Sequence, residues 1–238
     1  MVFKNTTRER SLTSLPPQSF KCGASLITPR FLATAYHCFY STEYPKLNFD
    51  TDCREAGQCV AVIRQHDLTV KEAYERKIDI ARVHRPPFGN SDLALAELAD
   101  AVVLDSRAQL VKMATERLRV DDLVLHLGWG QAFQGAFPDT LLKVQLRVSE
   151  VDSSSDQTFT AVGSDERGIP VDPCDGDSGG PLLYRKDGEW ELYATLQGGG
   201  YDCEDGKTSG DGVWNSLAHH NDWIRDVINA AGENQGFR

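Results

Sequence analysis

The amino-acid sequence predicts an all-β protein ending in one α-helix, and three features carry that prediction. From Phe20 onward, short runs rich in β-branched and aromatic residues are broken by Gly, Pro and Asp, the rhythm of strands joined by turns. Leu141-Leu-Lys-Val-Gln-Leu-Arg-Val148 and Ile78-Asp-Ile-Ala-Arg-Val-His84 alternate apolar with polar residues, as strands with one covered face do. Asp222 to Ala231 instead places apolar residues at helical spacing, and Gly232 follows as a C-terminal stop. The chain of 238 residues is long enough for one large core or two packed barrels.

Composition narrows the function classes. With 40% hydrophobic and 25% charged residues the chain reads as an ordinary globular protein. A net charge of −10 opposes binding to nucleic acid or anionic membranes and mildly favours cationic substrates. No apolar run approaches the length of a membrane span, and the polar start Met1-Val-Phe-Lys-Asn-Thr-Thr lacks the apolar core of a signal peptide. The expectation is therefore a processed form, a fragment or a cytosolic chain. The six cysteines show no Cys-x-x-Cys pair and no metal spacing, which favours disulfides and an oxidising, extracellular setting. Asn5-Thr-Thr is a glycosylation sequon that agrees with secretion.

Chemistry concentrates in Asp172-Pro-Cys-Asp-Gly-Asp-Ser-Gly-Gly-Pro181. A serine hydroxyl is a poor nucleophile at neutral pH and needs both a base for its proton and donors for the oxyanion formed on attack. Gly176 can adopt backbone angles that aim an amide outward, and Gly179 and Gly180 leave room for close backbone approach. Asp-Gly-Asp-Ser-Gly-Gly-Pro-Leu resembles the nucleophile motif of the chymotrypsin-like (trypsin-type) serine proteases. That family requires a histidine and then an aspartate upstream, an order that separates it from other serine hydrolases.

Both are present. Phe31-Leu-Ala-Thr-Ala-Tyr-His-Cys38 resembles the family's histidine motif, which makes His37 the general base, and Asn90-Ser-Asp-Leu-Ala-Leu resembles its aspartate motif, which makes Asp92 the orienting carboxylate. Ser178 is then the nucleophile, with the amides of Gly176 and Ser178 as the oxyanion hole. The resemblance implies two packed six-stranded antiparallel β-barrels with a C-terminal α-helix: residues 15–105 for the barrel carrying His37 and Asp92, 106–218 for the barrel carrying Ser178, and 219–232 for the helix, all within one peptidase domain. It implies disulfides Cys22–Cys38 and Cys174–Cys203, and Cys53 with Cys59 would close a third, small loop. Leu127-Gly-Trp-Gly130, preceded by His126, resembles a family strand end, and residues 99–122 read as the link between barrels. Some relatives bind calcium through glutamates, but Gln65 stands where the first would be, so no metal is expected, and Glu72 and Glu75 read as solvated charges.

Specificity is implied by Asp172, which in the trypsin branch lies at the base of the pocket and pairs with Arg or Lys; Gly199 and Gly212 would form the pocket walls. The resemblance thus implies a secreted endopeptidase cleaving after Arg or Lys, monomeric and without cofactor. Its partners would be protein or peptide substrates and protein inhibitors, not nucleic acid or membrane. Two departures support the alternative of a protease-like binding module. Gln197-Gly198 replaces the usual Ser-Trp, and the sequence contains no Ile-Val-Gly-Gly, whose freed ammonium in relatives sits beside the equivalent of Asp177. That absence leaves open an incomplete chain, a different activating partner or a protein without protease activity.

Overall fold

A computed structural model describes residues 2–4, 20–39, 59–87, 91–132, 136–151, 158–164, 170–198 and 212–233. Its strands form two sheets. The first contains β1 (Val2–Lys4), β2 (Phe20–Cys22), β3 (Ser25–Thr28), β4 (Phe31–Ala35), β5 (Cys59–Ile63), β6 (Arg76–His84) and β7 (Leu93–Leu98), in the order β2-β1-β5-β6-β7-β4-β3. The second contains β8 (Lys112–Met113), β9 (Leu123–Gly128), β10 (Leu142–Val151), β11 (Thr158–Ser164), β12 (Pro170–Val171), β13 (Pro181–Lys186), β14 (Glu189–Gly198) and β15 (Gly212–Ser216). Within it β9, β13, β14, β15, β11 and β10 pair in turn, and β10 pairs back with β9, closing a six-stranded barrel. The first sheet wraps as a half-barrel, and helix α1 (Asn221–Ala230) follows the second. The all-β architecture with a terminal helix expected from the sequence is thus the fold, with one of the two expected six-stranded barrels closed and the other a seven-stranded half-barrel. No helix among the described residues is long and apolar enough to cross a membrane.

Two registers show why these sequences form these strands. In β10, Leu146 and Val148 point into the barrel while Arg147 and Lys143 stay exposed, so one face is covered. In β7 nearly every residue is buried because both faces are covered. Ala94, Ala96 and Leu98 join the core of the first sheet with Leu32, Ile80 and Val83, whereas Leu93 and Leu95 join Phe31, Leu192, Leu217, Ile224 and Ile228 between the sheets and α1. Ile224 and Ile228, one helical turn apart, carry the buried stripe of α1, and Gly232 ends it with φ +78°. Residues 99–122 do more than link the sheets: β8 pairs in parallel with β14 and buries Met113.

Three cysteine expectations meet the structure differently. Cys22 and Cys38, separated by 16 residues, form a disulfide. Cys174 is disulfide-bonded, and Cys203 lies outside the described residues, as does Cys53. Cys59 corrects the third expectation: it is a free thiol. The register of β5 places it opposite Lys4 and packs it on the first core, so its position is set by strand pairing.

The loop after β5 brings a second correction. Gln65 donates its side-chain amide to the carbonyls of Asp67 and Val70, tying the loop with a neutral group, and Glu72 accepts from the His66 amide at 2.5 Å. Glu75, expected to be solvated, is buried, and that burial pushes its carboxyl above the usual carboxylate range against the opposing pull of Lys71.

Candidate active site

β4 ends at Ala35 in extended conformation, and Tyr36–Cys38 make a single tight turn that lifts His37 out of the sheet. The Cys22–Cys38 bridge holds the far side of that turn. Asp92, one residue before β7, grips it at three points. Its carbonyl accepts from the Tyr36 amide at 2.5 Å, Oδ1 from the His37 amide at 2.8 Å, and Oδ2 from His37 Nδ1 at 2.6 Å. The carboxylate is mostly shielded and the imidazole is half open to solvent. Because a carboxylate only accepts, Nδ1 carries a hydrogen, and in the neutral ring Nε2 presents its lone pair. That is the form able to take a proton.

Asp92 is itself seated from the other half of the molecule. Its amide donates to Asn215 Oδ1 on β15 at 3.2 Å. The neighbouring Ser91 hydroxyl is hydrogen-bonded to His220 Nε2 at 3.0 Å and accepts from the Leu93 amide. Burial, helped by His219, pushes the His220 imidazole down to about 4, so it stays neutral at physiological pH and adds no charge beside Asp92.

The loop between β12 and β13 brings Ser178 against this assembly. The Ser178 carbonyl accepts from the Gly23 amide at 2.7 Å and lies 3.9 Å from Cys38 Sγ, next to His37 in the chain. Gly179 has φ +74°, and a Cβ there would fall 2.2 Å from Thr34 Oγ1 and 2.6 Å from the Gly23 carbonyl, so only glycine lets the loop approach β4 this closely. The amides of Asp177, Gly179 and Gly180 donate to Cys174, Leu196 and Asp177. Those of Gly176 and Ser178 have no acceptor among the described residues, which leaves two donors flanking the Ser178 side chain. Gly176 has φ +97°, a left-handed conformation that glycine adopts without strain.

The specificity residues lie on the same loop. Asp172 directly follows β12 and is half-buried. Gly212 opens β15; a Cβ there would meet the Trp214 indole at 3.1 Å and Pro173 Cδ at 3.6 Å, so Gly212 and the Asp172–Pro173 step are neighbours. Asp175 is exposed, and Gly199 lies outside the described residues.

The sequence reading did not find Asn215, Ser91 or His220, since their contacts bridge residues far apart in the chain. His126 was placed in a strand without a role. The buried, alternating positions Val124, His126 and Gly128 in β9 signal that its ring points inward.

Comparison with known proteins agrees with this arrangement. The family model described as Trypsin matches residues 5–224. Mannan-binding lectin serine protease 1 of Homo sapiens is 29% identical over 91% of this chain and 33% of its own length. Transmembrane protease serine 11G of Rattus norvegicus is 28% identical over 87% of this chain and 49% of its own length, so the chain spans a third to a half of these two relatives. Trypsin-1 of Astacus astacus is 27% identical over 86% of each chain. The match of the Trypsin model over residues 5–224, on a chain that carries a His–Asp pair and a glycine-framed serine, places it in the trypsin family of serine proteases.

Proposed function

We propose that the protein is a secreted serine endopeptidase that hydrolyses peptide bonds after Arg or Lys. The observation that carries this reading is the His37–Asp92 pair, with Nδ1 held at 2.6 Å and Nε2 left for a proton, on the turn against which Ser178 is packed. Nε2 takes the Ser178 proton as Oγ attacks the scissile carbonyl. It returns that proton to the leaving amine, and water then hydrolyses the acyl-enzyme by the same route. Asp92 holds the imidazole in the required tautomer and stabilises its charged form. The Gly176 and Ser178 amides receive the oxyanion, a role in which one donor is worth about 3 kcal/mol in well-studied hydrolases. This scheme is the family's own template, applied here to the residues that match it.

A stoichiometric organophosphonate label tests the reaction class. The intact protein is expected to be labelled at Ser178, and Ser178→Ala to take up none. An intact protein that resists labelling supports instead the protease-like binding module, which the Gln197-Gly198 departure favours.

Specificity rests on Asp172, a half-buried residue whose neighbour Pro173 lies against Gly212, and its carboxylate suits a guanidinium or ammonium guest. Asp172→Ser is expected to lower kcat/KM for Arg and Lys substrates by roughly a hundredfold or more, with little change for apolar ones, as loss of a buried charge-assisted contact requires. Equal cleavage after Arg and Leu by the unsubstituted protein would remove the trypsin-like assignment. The −10 net charge is in keeping with basic substrates.

A further inference from the structure

Asp177 precedes Ser178, and its carboxylate is nine-tenths buried. Oδ1 accepts from the Gly130 amide at 2.7 Å and Oδ2 from the Cys174 amide at 3.1 Å. Two neutral donors do not neutralise a carboxylate removed from water, and an unpaired buried charge is strongly destabilising. Across from it stands His126 on β9. Its side chain is 3% exposed, and Nε2 lies 3.6 Å from Asp177 Oδ1 with no hydrogen-bond partner among the described residues.

The other ring nitrogen fixes the proton count. His126 Nδ1 lies 3.0 Å from the Pro181 carbonyl, which only accepts, so Nδ1 must carry a hydrogen. A neutral ring would then turn the Nε2 lone pair toward a carboxylate oxygen, acceptor against acceptor. Nε2 and Oδ1 face each other at 3.6 Å, beyond hydrogen-bond distance but within ion-pair reach, and a hydrogen on Nε2 removes that conflict. We propose that His126 is an imidazolium that pairs with Asp177 and thereby positions the amides of Gly176 and Ser178.

Three further observations agree. A Cβ at Gly128 would fall 1.8 Å from Asp177 Oδ1 and 3.0 Å from His126 Nε2; one at Gly130 would fall 2.3 Å from Asp177 Oδ2; one at Gly180 would fall 2.7 Å from His126 Cε1. Glycines of both motifs therefore clear the volume that this pair occupies. The ring is held in place by Trp214, edge-on at 5.2 Å. The groups facing it from β10, β13 and β15 are Val144, Leu182 and Trp214, all without charge, so Asp177 is the titratable group within ion-pair reach among the described residues. His126 acts through Asp177 and is a positioning residue. Only the catalytic consequence of the pairing rests on the proposed protease activity.

The test therefore has arms with and without turnover. In histidine-labelled Ser178→Ala protein, with the His126 signals assigned by their loss in His126→Phe, NMR at neutral pH is expected to show both ring nitrogens protonated. A single protonated nitrogen overturns the proposal. In the same background, His126→Phe is expected to lower the melting temperature by roughly 3–6 °C, and adding Asp177→Asn should recover at least half of that loss. If Asp177→Asn costs the same with or without His126, the pair does not interact and the proposal falls. In protein that labels at Ser178, His126→Phe should lower kcat by roughly tenfold or more, the worth of a misplaced oxyanion donor, with a smaller change in KM. Unchanged kcat would end the positioning role while leaving the protease reading intact. Absence of labelling ends the protease reading and leaves the spectroscopic and stability arms to decide the pair.

Discussion

Asp92→Asn is expected to lower turnover by about 10⁴-fold while leaving the protein folded, a size taken from the Ser-His-Asp template of this family and not from the geometry. The geometry explains the direction. Asp92 offers an oxygen to the His37 amide and another to His37 Nδ1, both as acceptors. Asparagine keeps one oxygen and gains an NH₂ group. With the oxygen still facing the backbone N–H, the NH₂ faces Nδ1, which can accept only by giving up its hydrogen. The ring proton then moves to Nε2, the atom proposed to receive the Ser178 proton. Single-turnover acylation measured beside a thermal melt separates the two effects. A variant that melts normally and acylates within tenfold of the parent would show that tautomer control by Asp92 is not needed.

Gly179→Ala is expected to cost about 2–5 kcal/mol, which combines a left-handed conformation imposed on alanine with overpacking of a tight contact. The new methyl would fall 2.2 Å from Thr34 Oγ1, 2.6 Å from the Gly23 carbonyl and 2.8 Å from the Ala35 amide, and the last two are backbone atoms that cannot swing aside. Thr34 Oγ1 is also committed to the Gly23 carbonyl at 2.8 Å. Relief must come from moving the loop, which displaces Ser178 from the His37 turn. Gly188→Ala provides the control, since Gly188 has φ +89° but nothing within 4 Å of an added Cβ. Calorimetry should show Gly179→Ala melting well below Gly188→Ala. Equal melting temperatures would mean that the loop does not press on β4.

How much of this could be read from the chain depended on whether the cause was local. His37 and Ser178 were legible because a cysteine or glycines frame each of them within a few residues, and the β10 alternation was legible because one barrel face is covered and the other is not. The motif around Asp92 gave no sign that opposite faces of β7 serve different cores, which depends on where α1 packs. Glu75 looked solvated beside Lys71 and Lys77, and tertiary packing buried it. Cys59 was expected to pair with Cys53 as the cysteines left over from the two disulfides that the resemblance implies, whereas strand register set its surroundings. His126 meets Asp177 only because β9 pairs with β13, with His126 opposite Leu182, a register that no short window of sequence contains.

The contacts of Asn215 with the Asp92 amide and of His220 with Ser91 separate partners by more than a hundred residues. A chain synthesised only through β7 contains His37 and Asp92 but neither Asn215 nor His220. The seating of Asp92 and Ser91 therefore depends on β15 and on the segment leading into α1, which are made last.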